Sequence, residues 1–171
     1  MNAKLASASH TIMNEIVLPN DTNTLNNLMG GRLLHLMGIG AAMAAQKHSN
    51  RIVVTASVDN VSFKAPIRLG DVVTIHAKIT RSFNSSMEIR IDVWSENIPS
   101  GRKEKSNEAY YTFVAVDQTG RPIPVPTVTV ETEEEQKLFD GALRRRQLRL
   151  VLAGKMKAQD ATELKALFAQ E

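Results

Sequence analysis

The sequence predicts an α+β fold in which one long buried helix lies against an antiparallel sheet. From Gly31 to about Lys47, apolar residues recur at three- and four-residue spacing, which is the period of an α-helix. Between Arg51 and Val116, four segments are rich in β-branched residues or alternate apolar with polar residues, and short polar turns separate them. Such alternation is typical of antiparallel strands with one solvated face.

The predicted elements follow one another as a strand, the helix and four further strands. The first strand, at 11–18, is rich in β-branched residues and stops at Pro19, and the polar cluster 20–24 then forms a turn. Because the helix is rich in alanine and methionine, we expect neighbouring elements to pack closely on most of its sides. The four later strands are predicted at 51–58 with a continuation to 63, at 71–80, at 87–94 and at 109–116.

The chain changes character near residue 128. All six prolines precede this point, and the three in 121–126 predict an extended connection. The remainder is charged, begins with glutamates and becomes basic between Arg144 and Lys157, which suits the dipole of a helix. We therefore predict a main domain at 8–128 and a helical extension at 129–171, with one helix ending near Gly154 and a short one at 158–168.

Composition argues against several classes of function. The 171 residues include no cysteine, which removes disulfides, thiolate ligands and a cysteine nucleophile. No apolar run has the length of a membrane span and no secretory signal is present, so we expect a cytoplasmic protein with no membrane partner. A net charge of +3 and 5% aromatic residues do not indicate nucleic-acid binding. The sequence contains neither metal-ligand spacing nor a Gly-x-Ser-x-Gly elbow, so we expect no catalytic metal and no serine mechanism.

A string of motifs in a fixed order resembles the acyl-CoA thioesterases of the hotdog fold. The motifs are Asn27-Leu-Met-Gly-Gly31, the strand 52–63, Pro66-Ile-Arg-Leu-Gly-Asp71, the segment 108–117, and Pro124-Val-Pro126. The resemblance spans about residues 10–150. It implies a hotdog fold, in which the sheet curls around the central helix, and hydrolysis of acyl-CoA to a fatty acid and CoA. It implies no cofactor, since CoA is part of the substrate.

The resemblance also indicates the residues around the thioester. Gly30 and Gly31 lie where a loop enters the helix, so backbone N–H groups there are free to polarise a carbonyl. Asn27 matches the family's asparagine before the glycines. Family members commonly place an aspartate seven residues after the second glycine, but this chain has Gly38 there. In relatives with two hotdog halves, one half presents the asparagine and the other the aspartate, so each site lies between halves.

By the same resemblance, pantetheine would run along the strand at Ser57 and Ser62 and beside Ser85 and Ser86. The candidate partners of the CoA phosphates are Lys64, Arg68 and Lys105. Outside this set, we expect His35 to be a packing or solvent-edge residue, and Glu88 and Asp92 to lie on a solvated strand face.

Two functions remain open at the level of sequence. The first is a thioesterase weakened by Gly38, and the second is a non-catalytic hotdog protein that binds acyl-CoA as a sensor or sequestering module. In either case we expect a homodimer with a continuous sheet, which the resemblance extends to a trimer of dimers.

Overall fold

The computed structural model describes residues 1–169 and confirms the α+β hotdog fold. In chain order its elements are β1 (Lys4–Leu5), β2 (Thr11–Ile16), α1 (Gly30–Ser49), β3 (Ile52–Phe63), β4 (Val72–Ser82), β5 (Ser86–Asn97), β6 (Arg102–Val116), β7 (Val128–Thr129), α2 (Glu133–Leu152) and α3 (Thr162–Phe168). Short 3₁₀ turns lie at Ala6–Ser9, Pro19–Asp21 and Ala158–Asp160.

Five strands form one antiparallel sheet in the order β2-β4-β5-β6-β3. Strands β2 and β3 are therefore its two edges, although they follow each other in sequence with only the loop that contains the turn Pro19–Asp21 and α1 between them. Strand β3 carries register shifts between Thr55 and Ser57 and between Asp59 and Ser62. Such bulges bend a strand and are common at sheet edges.

The core lies between α1 and the inner face of the sheet. On α1, Met37, Ala41 and Ala44 are fully buried, and on β5 alternate aliphatic side chains are buried as completely. The helix approaches the sheet closely at Gly40, where a Cβ atom would lie 3.3 Å from the Ile75 Cγ2 atom. Burial of each aliphatic side chain contributes about 1.5–3 kcal/mol. The small residues of α1 thus serve close packing, as its composition predicts.

Strand β6 begins seven residues earlier than the predicted strand at 109–116. Its charged first half pairs with the end of β5, from Asn97 opposite Arg102 to Val93 opposite Asn107. Charged residues are tolerated at this position because one face of an antiparallel pair can remain solvated. The sequence pattern missed this half of the strand because it contains few apolar residues.

The prediction that Glu88 is solvated is wrong. Glu88 is 2% exposed, and its Oε1 atom accepts a hydrogen bond of 2.5 Å from the Thr80 hydroxyl. Asp92 is half-buried and forms ion pairs with Arg90 at 2.9 Å and with Lys105 at 2.7 Å. Alternation identifies the face of a strand, but neighbouring strands decide whether long side chains cover that face.

The residues from 130 onward form a second compact unit. Helix α2 begins after Thr132, whose hydroxyl accepts a hydrogen bond from the Glu135 N–H, and three glutamates fill its first turn. The N–H of Leu164 in α3 donates to the Gln147 side chain of α2 at 3.0 Å. No helix within residues 1–169 is long and apolar enough to span a membrane.

His48 joins the end of α1 to the extended connection at 121–126. Its Nε2 atom lies 2.8 Å from the Pro126 carbonyl oxygen, which also accepts a hydrogen bond from the Ser82 hydroxyl. The Nδ1 atom is buried and has no hydrogen-bond partner among residues 1–169. Burial lowers the pKa of His48; the hydrogen bond to Pro126 opposes this effect, and the nearby Lys4 charge adds to it.

We expect the stability of the chain to fall as the pH drops below about 6.5, the ordinary pKa of histidine. The unfolded chain takes up a proton at His48 near that pH, whereas the folded chain resists protonation until the pH is lower. His48→Gln keeps a donor for Pro126 but cannot titrate, so its free energy of unfolding should fall less between pH 7.5 and pH 5. Urea unfolding at both pH values measures this, and equal losses in both proteins would contradict the assignment. The pKa of His10 is also lowered, by burial and by His76, so His10 contributes a loss in the same direction to both proteins.

Candidate functional site

The loop before α1 is held by its own polar side chains. The Asn23 Oδ1 atom accepts hydrogen bonds from the N–H groups of Leu25 and Asn27, at 2.9 and 3.2 Å. The Asp21 carboxylate accepts a hydrogen bond from the Arg32 guanidinium at 3.0 Å, which ties the loop to the first turn of the helix. Asn26 adopts a positive φ of 55°, which asparagine tolerates better than most residues.

The start of α1 has no side-chain cap from its N-cap residue in the part of the chain that the structure describes. Met29 occupies the N-cap position and makes no side-chain hydrogen bond to the helix. The N–H groups of the first turn have no partner within a helix, and the helix dipole places about half a positive charge there. The start of α1 is therefore suited to hold a carbonyl oxygen or an anion.

Two cavities flank this helix start. We call the first the helix cavity. It has a volume of about 690 Å³ and is lined by Gly31, Leu34, His35, Gly38, Ile39, Ala42, Thr55, Val58, Val61 and Tyr111. We call the second the loop cavity. It has a volume of about 460 Å³ and is lined by Asn23, Asn27, Leu28, Gly30, Leu33, Phe63, Lys64, Ala65, Pro66, Ile67 and Asn107.

The two glycines of the helix cavity leave open space beside α1. A Cβ atom at Gly31 would have no neighbour within 4 Å, and one at Gly38 would meet only the Tyr111 ring, at an ordinary 3.6 Å. Packing within the chain therefore does not require glycine at either position. Position 38, where the resemblance implies an aspartate, opens into this cavity and has room for a Cβ atom.

Tyr111 forms part of the cavity wall and does not act as an acid or base near neutral pH. Its hydroxyl donates a hydrogen bond of 2.9 Å to the Leu34 carbonyl oxygen. Burial raises the pKa of Tyr111 to about 12. The remaining lining is mostly aliphatic, so the helix cavity suits an apolar group that ends at the start of α1.

The loop cavity brings together Asn27, Gly30 and Lys64, three of the residues that the sequence singled out. Gly30 lies against the Phe63 ring, because a Cβ atom there would be 3.1 Å from its Cζ atom. Gly38 lies in the other cavity. Within one copy of the chain, the asparagines before the glycines and helix position 38 therefore do not share a cavity.

None of the four predicted pantetheine-contacting serines lines either cavity. The Ser57 hydroxyl donates to the Asp59 carboxylate at 3.3 Å. Ser62 is exposed, and its carbonyl oxygen accepts a hydrogen bond from the Asn107 side chain. Ser85 and Ser86 lie at the start of β5, where Ser86 pairs with Val114 of β6.

The three basic candidates differ in how far their charge is already neutralised. Lys105 forms ion pairs with Asp92 at 2.7 Å and with Glu108 at 3.0 Å. Burial acts to lower the pKa of Lys105, but the hydrogen bonds to these two carboxylates outweigh burial and raise it. Lys64 is exposed and lies 3.8 Å from Glu108. Arg68 is exposed and forms no ion pair with the described residues. Arg68 and Lys64 are thus freer than Lys105 to meet a phosphate group.

Sequence reasoning missed three polar residues that line the cavities: Asn23, Thr55 and Asn107. Asn23 lies within the predicted polar turn, but nothing in that run of polar residues distinguishes it from its neighbours. Thr55 precedes the first bulge of β3, so the simple period of a strand does not show which way its side chain faces. Within residues 1–169, no group of three or more His, Asp or Glu residues is arranged to hold a metal ion.

Comparison with known proteins shows a consistent set of relatives. Residues 25–101 match the family model of the Thioesterase superfamily. The chain is 38% identical over 142 residues to an uncharacterised acyl-CoA thioester hydrolase of Bacillus subtilis, covering 83% of each protein. It is 35% identical over 118 residues to an acyl-CoA thioester hydrolase of Salmonella typhimurium, covering 67% of this chain and 89% of that protein.

Solved structures agree with these sequence matches. An apo-hexameric acyl-CoA thioesterase superimposes with a TM-score of 0.87 at 38% identity, covering 90% of this chain and 98% of that one. An acyl-CoA hydrolase of Staphylococcus aureus, in complex with butyryl-CoA, CoA and CoA disulfide, gives a TM-score of 0.82 at 33% identity, covering 96% and 99%. Structures of that hydrolase have also been solved for variants in which an aspartate, a threonine or an asparagine is replaced by alanine.

We expect Gly31→Val to leave the fold intact but to abolish stabilisation by CoA and turnover of acyl-CoA. A Cβ atom at this position has no neighbour within 4 Å, and the branched side chain would block the approach of a ligand to the start of α1. Thermal unfolding with and without CoA, together with release of free thiol, measures both effects.

Gly40→Val is the matched control, because its side chain would press on Ile75 and Met13. We expect it to cost about 1–3 kcal/mol in stability, as overpacked cores do. A folded Gly31→Val protein with unchanged CoA affinity and rate would show that the ligand binds elsewhere.

Proposed function

The chain belongs to the thioesterase superfamily, among acyl-CoA thioester hydrolases of the hotdog fold, and from this premise we propose that it hydrolyses acyl-CoA to a free fatty acid and CoA. One structural observation carries the proposal. An apolar cavity ends at an uncapped helix start whose glycine, Gly31, leaves the backbone accessible. Such a cavity fits an acyl chain, and the helix start fits its thioester carbonyl.

The spacing of the substituted residues in the Staphylococcus aureus hydrolase supports the location of the site. In that protein the asparagine precedes the aspartate by fifteen positions, and the threonine follows the aspartate by seventeen. The same spacing in this chain selects Asn23, Gly38 and Thr55. All three line the cavities described above. We therefore propose Asn23, in preference to Asn27, as the amide of the site.

In the proposed mechanism, N–H groups at the start of α1 polarise the thioester carbonyl and stabilise the negative charge that forms on its oxygen. Removal of one such donor typically costs about 10²–10³ in kcat. The Asn23 amide and the Thr55 hydroxyl orient water and substrate. The chain lacks a carboxylate at position 38, so we expect slow turnover rather than none, because oriented donors alone retain part of the catalysis.

We further propose that two copies of the chain complete each site. Asn23 and Gly38 lie in separate cavities of one copy, and a second copy can bring its asparagine to the helix cavity of the first. The free edge of β3 offers the contact, since Ile52, Val54 and Val58 on it are exposed. A sheet continued across a two-fold axis would cover them, and three such dimers would form a hexamer.

Basic residues at the surface are available to the phosphate groups of CoA. We propose that Lys64 and Arg68 contact its phosphate groups, because their charges are less neutralised than that of Lys105. Contacts of pantetheine with Ser57, Ser62, Ser85 and Ser86 stay predictions, as does a cytoplasmic location.

The alternative function is binding of acyl-CoA without hydrolysis. Gly38 is the observation that favours it, because a glycine cannot serve as a base or orient water through a side chain. A sensor or sequestering protein would keep the helix cavity and the helix start while losing the catalytic group.

We expect the chain to form a dimer or a multiple of a dimer in solution. The exposed aliphatic residues of β3 and the unpaired backbone groups of a sheet edge favour pairing with a second copy. Light scattering coupled to size-exclusion chromatography measures the mass. A stable monomer would contradict both the continuous sheet and the shared site.

We expect Gly38→Asp to raise kcat by about one to three orders of magnitude, within the usual contribution of a general base. KM should change little, since the cavity has room for the new Cβ atom. Steady-state release of free thiol from a series of acyl-CoAs measures both constants.

Gly38→Asn is the matched control, because it adds similar volume without a base and should give no such gain. An Asp variant that folds but is no faster than the parent would exclude position 38 from catalysis. If neither the parent nor the Gly38→Asp variant hydrolyses acyl-CoA while both still bind CoA, the non-catalytic function is favoured.

A further inference from the structure

One face of α1 carries a single long side chain at the helix cavity. Gly31, His35, Gly38 and Ala42 follow each other at steps of four, three and four residues, and all line this cavity. Residues at such steps lie above one another on one face of a helix. Two members of the stripe are glycines and one is alanine, so no other long side chain of the stripe flanks the His35 imidazole along the helix.

The direction of side chains on a helix places His35 toward the proposed carbonyl site. Helical side chains lean toward the N-terminus, over the preceding turn. For His35 the preceding turn is the one that begins at Gly31, where the uncapped N–H groups lie. Position 38 is one turn further on, and the Cβ atoms of residues three apart lie about 5–6 Å from one another. An imidazole at 35 and a carboxylate at 38 therefore reach overlapping parts of the cavity.

The other polar groups of the helix cavity cannot serve as a base. The Tyr111 hydroxyl is committed to the Leu34 carbonyl oxygen, and burial raises the pKa of Tyr111 to about 12. Thr55 carries a neutral hydroxyl. Among the described residues that line the cavity there is no aspartate, glutamate or lysine. The His35 side chain is exposed and forms no hydrogen bond or ion pair with the described residues, so its ring nitrogens remain available.

We propose that His35 is the general base of this chain and substitutes for the carboxylate absent at position 38; this inference rests on the proposed thioesterase function. A His35 ring nitrogen takes one proton from water while the water oxygen bonds to the thioester carbonyl carbon. The carbonyl then reforms as the carbon–sulfur bond breaks, and its electron pair goes to sulfur. The imidazolium returns the proton to the leaving thiolate, which yields the carboxylic acid and CoA thiol.

The first test is His35→Gln, which keeps a polar side chain of similar length on the helix but removes the base. We expect kcat for acyl-CoA hydrolysis to fall by about 10²-fold, at the lower end of what a general base contributes. KM should stay within about twofold, and the decline of kcat at acid pH, caused by protonation of the base in the parent, should disappear. His76→Gln is the matched control, since His76 lies on β4 outside the helix cavity, and it should keep both the rate and the pH profile.

The second test supplies a different base in place of the imidazole. His35→Glu should recover part of the lost rate and move the decline of kcat at acid pH to lower pH, because free carboxyl groups ionise about two units below imidazole. Gly38→Asp in the His35→Gln background should restore turnover through the other position. Circular dichroism and thermal unfolding of each variant check that the fold is kept.

These outcomes separate the role of His35 from the function of the protein. If the parent hydrolyses acyl-CoA and His35→Gln matches it in rate and pH profile, the thioesterase function stands and His35 is not the base. If only proteins carrying Gly38→Asp hydrolyse acyl-CoA, the parent chain binds acyl-CoA without hydrolysing it, and both the His35 proposal and the hydrolase function of the parent are overturned. If no variant releases thiol from any acyl-CoA, the proposed function itself fails.

Discussion

The close contact between α1 and the inner face of the sheet is the constraint on which the rest of the molecule depends. At Gly40 the helix backbone comes so near to Ile75 that even a methyl group would be tight. Alanines 41, 44 and 45 continue this contact along the buried face. Since packed interiors tolerate little change of volume, the helix has one position on the sheet. The entry loop, the two cavities and the extended connection are all placed relative to it.

This contact also explains why one helix carries two kinds of glycine. Gly40 is required by packing within the chain, whereas a Cβ atom would meet nothing within 4 Å at Gly31 and only the Tyr111 ring, at an ordinary 3.6 Å, at Gly38. Glycine in a helix interior costs roughly 0.5–1 kcal/mol relative to alanine, so a glycine without a packing role is unfavourable for the helix itself. Gly31 lies in the first turn rather than in the interior, and there we propose that the absence of a side chain gives a ligand access to the backbone. Gly38 lies in the helix interior and carries this cost. The family's carboxylate is missing there, and we propose that His35 reaches the part of the cavity that a carboxylate would occupy.

On the outer face of the sheet, half-buried charged side chains are stabilised by ion pairs with one another. Burial alone would lower the pKa of Arg90, yet its hydrogen bonds to Asp92 outweigh that effect and raise it. Burial likewise works to raise the pKa of Asp92, and the hydrogen bonds from Arg90 and Lys105 reverse it. Each charge is thus stabilised by its neighbours on adjacent strands. The same network neutralises Lys105, which leaves Lys64 and Arg68 as the basic residues more available to a phosphorylated ligand.

The sequence by itself determined the order of elements, the buried helix and the glycines at its start, because periodicity and turn residues are local properties. It also identified position 38 as unusual, through the motifs around it. Only the tertiary structure decided which residues meet. It buried Glu88 against the predicted solvation, extended β6 through a charged segment, and distributed Asn23, Asn27 and Gly38 between two cavities. It also placed His35 beside Gly38 in one cavity, although a helical repeat alone leaves its surroundings open. These outcomes depend on strand pairing and on close approach between segments distant in sequence, and neither is encoded in the period of any one segment.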